Sequence, residues 1–154
     1  MHSLRWLILV LFSSFLLAEK VEITSESMKA LESKKEVHFM GNVKIQQPGS
    51  WLHSQKVIVY FDDNNKTKMY EASGAVEFEF KNEKNFYKGS AQIVKYYPQK
   101  SYYELQGKAV IDDLANKRHI DGDMITLDIR TGHADVKGNK AKPVKFIFDL
   151  EEGK

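Results

Sequence analysis

Every second residue from Phe39 is apolar or glycine: Phe39, Gly41, Val43, Ile45. Met40, Asn42, Lys44 and Gln46 fill the other positions and are mostly polar. Side chains alternate across a pleated strand, so this stretch predicts a strand with one dry and one wet face. The pattern returns in Ala72, Gly74, Val76, Phe78 and Phe80, and again in Leu105, Gly107, Ala109 and Ile111. Val136 and Gly138 begin a fourth copy that loses the pattern at Lys140. The glycines are 33, 33 and 31 residues apart, a period that marks a repeat architecture. Glycine within a strand predicts a bulge, a bend or a close approach to the backbone.

A second element lies between the glycines. Ser54-Gln55-Lys56-Val57-Ile58-Val59, Ala91-Gln92-Ile93-Val94-Lys95-Tyr96 and Gly122-Asp123-Met124-Ile125-Thr126-Leu127 align. Each has a small residue, then Gln or Asp, then apolar residues three and five places after the small one. Each repeat is therefore two strands joined by a polar turn. In chain order, strands are expected at Val21–Thr24, in a strand–turn–strand over Ser25–Lys35, and at Val37–Gln47 and Val57–Phe61. Others follow at Met69–Phe80, Phe86–Tyr97, Ser101–Asp112, His119–Arg130, Ala134–Gly138 and Val144–Leu150. Val144, Phe146, Phe148 and Leu150 share a face of the last. Pro48-Gly49-Ser50, Asp62–Asn65, Lys81–Asn85, Asp113–Lys117 and Thr131-Gly132 read as the turns between them. No window holds the 3.6-residue period of a helix. The class is all-β, with a sandwich, a jelly roll and a stacked repeat sheet left open by periodicity alone.

Composition adds bounds. At 154 residues and 42% hydrophobic, the chain fits one folded domain. It has no cysteine, which excludes disulfides and thiolate chemistry. A net charge of +2 gives no basic face for nucleic acid. Met1–Ala18 reads as a cleaved secretory signal: Arg5 is the positive start, Trp6–Leu17 the apolar core, Ala18 the small residue at the cut. The apolar run falls short of the roughly 20 residues of a spanning helix, and an uncleaved anchor is the alternative. Residues 19–154 then form the single mature domain.

Candidate chemistry is thin. His119, Asp121 and Asp123 fall on one side of a strand, which a metal site needs, but ligands normally converge from several elements. A solvated polar face is the preferred reading. The acid pairs Asp62-Asp63, Asp112-Asp113 and Glu151-Glu152 sit in turns or at strand ends, where neighbours do not face each other across a cleft. No nucleophile elbow, phosphate loop or dinucleotide fingerprint occurs. Nothing argues for an enzyme, and no cofactor is called for. Asp63-Asn64-Asn65-Lys66-Thr67 contains an Asn-X-Thr acceptor with an acid two residues before it, in an expected exposed loop; some bacteria glycosylate such acidic sequons, and chance occurrence is the preferred reading from sequence. Seven Tyr and nine Phe are many for this size, and most Phe lie on the dry faces. An ordinary sandwich core and a lipid-facing interior both fit them.

Phe39-Met40-Gly41-Asn42-Val43 followed by Ser54-Gln55-Lys56-Val57-Ile58-Val59 resembles the LptA (OstA-like) family of periplasmic lipopolysaccharide transport proteins. Val21-Glu22-Ile23, Gly89-Ser90-Ala91 to Gly107, and Ile120-Asp121-Gly122-Asp123 stand at places that match the family's repeats. Ser54 and Gln55 replace the family's usual Ala-Asp. The resemblance implies a twisted β-jellyroll of stacked antiparallel strands with an open hydrophobic groove. It implies a non-enzymatic carrier and bridge in the periplasm. Lipopolysaccharide would travel with its lipid A acyl chains in the groove, between an inner-membrane LptC-type protein and an outer-membrane LptD-type N-terminal domain. Subunits would associate head to tail through edge strands 21–24 and 144–150. Residues expected to contact lipid, from the dry faces of successive strands, are Val21, Ile23, Phe39, Val43, Ile45, Val57, Val59, Phe78, Val94, Tyr96, Leu105, Ile125 and Leu127. A membrane-anchored LptC-type partner of similar fold, a lipid-free structural or adhesive β-repeat protein and, last, a periplasmic hydrolase are the alternatives.

Overall fold

Alternation of apolar and polar residues over ten segments produces one antiparallel sheet. The computed structural model describes residues 20–150. The expected signal segment Met1–Ala18 and the pair Glu151-Glu152 lie outside the described residues. The strands are β1 (Glu22–Thr24), β2 (Ser27–Leu31), β3 (Glu36–Gln47), β4 (Ser50–Phe61) and β5 (Thr67–Lys81). They continue as β6 (Phe86–Tyr97), β7 (Tyr102–Asp113), β8 (Arg118–Asp128), β9 (His133–Lys137) and β10 (Lys145–Phe148). The segment read as strand–turn–strand, Ser25–Lys35, is β2 followed by a single 3₁₀ turn at Glu32–Lys34 and left-handed Lys35. No helix among the described residues is long and apolar enough to cross a membrane.

Six long strands, β3 to β8, follow one another as a meander, each paired to the next. At one side β1 covers the Lys44–Gln46 part of β3 and β2 the Glu36–Met40 part. At the other, β10 covers the Arg118–Asp121 part of β8 and β9 the Met124–Asp128 part. Each border of the sheet is thus divided between two short strands.

The division follows a line of bulges. Register shifts fall between Met40 and Val43, His53 and Lys56, Ser73 and Val76, Ser90 and Ile93, and Gln106 and Ala109. On β3, β5 and β7 the extra residues are Gly41-Asn42, Gly74-Ala75 and Gly107-Lys108, all with positive φ. Glycine leads each pair because it enters the left-handed region without a steric penalty. It also lacks the atom that would collide. A Cβ on Gly41, Gly74 or Gly107 would meet the side chain of Glu26, Gln55 or Gln92 respectively at under 3 Å. Those three side chains are exposed. The glycines therefore turn toward the wet side and add nothing to the dry face, although their sequence parity places them on it.

The facing strands carry the matching change. On β4 the buried positions step from Ser54 to Val57, on β6 from Ala91 to Val94, and on β8 the core resumes at Ile125 after Gly122. A step of three reverses the alternation, so the same sheet face stays apolar on both sides of the bulge line. The +3 and +5 spacing in the sequence is this reversal.

The sheet folds along that line, so its two halves face each other. Phe78, from the half that includes β1 and β10, stacks its ring 6.0 Å from Tyr103, which belongs to the half that includes β2 and β9. The core lies between the halves. Leu105, Ile125, Val43, Val57, Val76 and Val94 are fully buried there. Each such side chain contributes about 1.5–3 kcal/mol by leaving water.

Candidate functional site

The facing halves do not close everywhere. At the end of the fold near the β3–β4 turn they enclose a cavity of about 220 Å³. Ile45, Leu52 and Phe78 line it from one half, and Tyr70, Tyr96 and Tyr103 from the other. The tyrosines share a rung: Tyr70 pairs with Tyr96, and Tyr96 with Tyr103. Their rings stack at 6.1 and 4.4 Å, and Phe78 continues the series across the gap. Burial, and secondarily Tyr96, push the Tyr103 hydroxyl well above the ordinary phenol range. The Tyr103 hydroxyl therefore stays neutral at physiological pH, and Glu79 is the one carboxylate of the lining among the described residues. Such a mainly apolar lining suits a hydrocarbon chain, with Ser50 and Glu79 among its polar members and no second carboxylate or histidine in the described lining.

The borders of the sheet are also open. Residues directly paired across strands share a face. Met28 pairs with Phe39, so it faces inward, yet it is 63% exposed. Phe146 and Phe148 pair with Ile120 and Arg118, again on the inner side, and are 51% and 56% exposed. Their rings stack at 5.2 Å. The expected shared face of the last strand exists, but no further strand covers it among the described residues.

The predicted contact residues divide into three groups. Val43, Val57, Val94, Leu105 and Ile125 are sealed in the core between the halves, and Val59, Phe78 and Leu127 are nearly so. Ile23, Phe39 and Ile45 pack partly buried against that core. Among the thirteen, Val21, Ile45, Phe78 and Tyr96 reach the cavity. The prediction omitted Leu52, Tyr70 and Tyr103 in the wall, and Met28, Phe146 and Phe148 at the borders. A usable signal for Tyr103 was the pair of doublets Tyr96-Tyr97 and Tyr102-Tyr103 flanking one turn, which must place one tyrosine of each doublet inside.

Polar clusters lie elsewhere. His119 hydrogen-bonds Asp112 at 2.6 Å and Asp121 at 2.8 Å on the outer face. These contacts, Asp112 first, raise its pKa above the usual histidine value. Asp123 does not join them. It accepts a hydrogen bond from the Asn139 amide instead. Among the described residues no group of three or more His, Cys, Asp or Glu is placed to hold a metal. Asp113, almost fully buried, accepts from Arg118 at 2.6 Å and from the Asn116 amide at 3.0 Å. Burial works to raise its pKa, but these bonds outweigh it and hold the carboxyl below its ordinary value. This cluster fastens the β7–β8 turn.

A bulged meander folded on itself, apolar inside and open at both borders, is the geometry against which known proteins can be compared. The family described as LptA/LptD N-terminal domain lipopolysaccharide transport protein matches residues 22–133, more than two thirds of the chain. The chain belongs to this family. Among solved structures it is similar to LptH of Pseudomonas aeruginosa, described as the LptA-homologous periplasmic component of the lipopolysaccharide transport device. The TM-score is 0.75 at 13% identity, over 86% of this chain and 96% of that one, which establishes a shared fold. No curated protein sequence matches. The family are transport proteins.

Proposed function

We propose that this protein is a periplasmic carrier that holds lipopolysaccharide by its acyl chains between the two half-sheets and passes it along a stack of similar domains. The observation that carries the reading is the uncovered inner face at both borders, together with a mainly apolar cavity between the halves. Each methylene moved from water to such an interior contributes about 0.8 kcal/mol, so a few enclosed methylenes hold a lipid without a covalent bond. The cavity is smaller than the roughly 300–1,000 Å³ of sites that enclose a drug-sized ligand. A lipid with several acyl chains therefore requires the halves to part, and the bulge line is where they pivot.

Strand direction supports the stack. β1 and β2 run opposite to β3, while β9 and β10 run opposite to β8. Five antiparallel steps separate β3 from β8. A copy translated along the sheet thus sets its β1 antiparallel to β10 and its β2 antiparallel to β9. Unpaired edges are ready templates for such addition. Inner-face Ile23 and Met28 of one copy would meet Phe146, Phe148 and Ala134 of the next. An inner-membrane LptC-type protein and an outer-membrane LptD-type N-terminal domain of like fold would occupy the two ends.

The test is lipopolysaccharide binding by the purified protein together with its mass in solution. Phe146→Asp/Phe148→Asp should leave a folded monomer that still binds lipid but no longer forms concentration-dependent multimers. A wild-type protein that stays monomeric and takes up no lipopolysaccharide at high concentration would leave a lipid-free structural β-repeat protein as the reading.

A further inference from the structure

The loop between β4 and β5 holds the chain's only Asn-X-Ser/Thr triplet, Asn65-Lys66-Thr67, with Asp63 two residues before the asparagine. Its geometry separates it from an ordinary polar turn. Asp62 closes the loop: its carboxylate accepts the backbone N–H of Asn64 at 2.9 Å and of Lys66 at 3.0 Å. The Asn65 N–H donates to the Asp62 carbonyl at 3.0 Å. Gln99, from the neighbouring β6–β7 turn, donates to the other Asp62 oxygen and to the Thr67 carbonyl, both at 3.2 Å. The backbone is therefore fixed without help from the sequon side chains.

Those side chains are left unused. Asp63 and Asn65 are exposed, Thr67 half-exposed, and the Asp63 carboxylate, Asn65 amide and Thr67 hydroxyl make no hydrogen bond within the described residues. Elsewhere the side chains of Asn42, Asn82, Asn85, Asn116 and Asn139 are all hydrogen-bonded. Only the two asparagines of this loop, Asn64 and Asn65, have side chains with no hydrogen bond at either the oxygen or the nitrogen among the described residues. Asn65 sits at φ 59°, at the outer bend of the turn. The loop also lies at the ends of the long strands, whereas stacking would use the β1/β2 and β9/β10 borders. β4 and β5 lie within the sheet rather than at its borders, so a bulky group here obstructs neither border.

We infer that Asn65 is an N-glycosylation site, read by an oligosaccharyltransferase of the bacterial class that requires an acid two residues before the asparagine. The Asn65 amide nitrogen attacks the anomeric carbon of a lipid-pyrophosphate-linked oligosaccharide. The new bond joins that nitrogen to the sugar; the bond from the anomeric carbon to the pyrophosphate oxygen breaks. The lipid pyrophosphate leaves with the bonding pair, and one amide proton passes to the enzyme's base. Thr67 at the second position after Asn65 supplies the hydroxyl that the enzyme binds, and Asp63 the carboxylate for a cationic side chain. The assignment does not depend on lipid transport; in the cell it requires the export expected from Met1–Ala18.

The test uses the purified, folded chain with a purified oligosaccharyltransferase of that class and its lipid-linked donor, read by intact mass and by glycopeptide sequencing. One added oligosaccharide, located on Asn65, is expected. Asn65→Gly keeps the left-handed turn and should remain unmodified. Asp63→Ala should lower the yield about tenfold, the loss of one charge-assisted contact. Its circular dichroism should match the wild type. An unmodified wild-type chain beside a fully modified control peptide, or modification that persists in Asn65→Gly, overturns the assignment.

Discussion

The middle of the folded sheet and its ends are built from the same alternation but have different fates. Leu105 and Tyr103 are two residues apart on one face of one strand. Leu105 is sealed against the opposite half; Tyr103 lines a cavity. Phe39 and Met28 are directly paired, yet Phe39 packs on the core and Met28 is mostly in water. What separates them is coverage. In the middle, the facing half supplies partner atoms. Toward the β3–β4 turn the halves diverge, and at the borders no next strand follows among the described residues. An apolar face is thus a necessary condition for lipid contact, and position along the fold decides whether it is met.

The sharpest way to break the comparison is to delete a buried side chain from each region. Leu105→Ala should cost about 3–4 kcal/mol, the transfer term plus an unfilled cavity. Ile45→Ala, at a wall that already borders empty space, should cost about 1 kcal/mol, because little new cavity is made. Urea denaturation of both variants measures the gap. Equal losses would mean that wall and core are one closed interior.

The bulge line comes next. Gly74→Ala forces a left-handed non-glycine residue and drives a Cβ to 2.8 Å from Gln55. About 1–3 kcal/mol of destabilisation is expected. Gln55→Gly/Gly74→Ala should recover the part due to contact and not the part due to φ. Stability unchanged in Gly74→Ala would remove the pivot from the fold.

At the borders the expected stability effect is smaller still. Phe146→Asp/Phe148→Asp should change folding free energy by about 0.5 kcal/mol or less, as for exposed positions. It should nevertheless remove self-association, measured by sedimentation. Loss of folding would show that these rings belong to the core after all.

The smallest effect concerns the outer face beside β10. The folded pKa of His119 lies above its ordinary value, held there first by Asp112 and then by Asp121. A raised pKa stabilises the fold in full below the unfolded value of about 6.5, and this contribution is lost as pH rises through the folded value. Melting temperatures of wild type and Asp112→Asn should therefore differ at pH 5.5 and converge by pH 9. The groups are partly exposed, so the difference should be no more than a few tenths of a kcal/mol. A difference that grows with pH would reverse the assignment.

Much of this architecture could be read from residues. The glycine period located the bulges because left-handed backbone selects Gly at positions 41, 74 and 107. The step of three after Ser54, Ala91 and Gly122 encoded the reversal that keeps one face dry. Edge strands were legible at Val21–Thr24 and Val144–Leu150 because each lies at an end of a meander. The site was less legible, since Val57 and Tyr70 follow the same rule of alternation and only the divergence of the halves distinguishes them. Gly74 looked inward by parity and turns outward by φ.

The central claim is that the space between the half-sheets holds acyl chains. Site-specific photo-crosslinking in cells addresses it, with a reactive residue at Ile45 on the cavity wall, at Phe146 on the open border, and at Glu77 on the outer face as control. Phe78 is a poorer probe than its neighbours, since at 7% exposure and stacked on Tyr103 it also holds the core together. Lipopolysaccharide adducts at Ile45 and Phe146, with none at Glu77, are the expected result. Adducts at none of the three positions in a folded, exported protein, or equal adducts at all three, would contradict a lipid-lined interior.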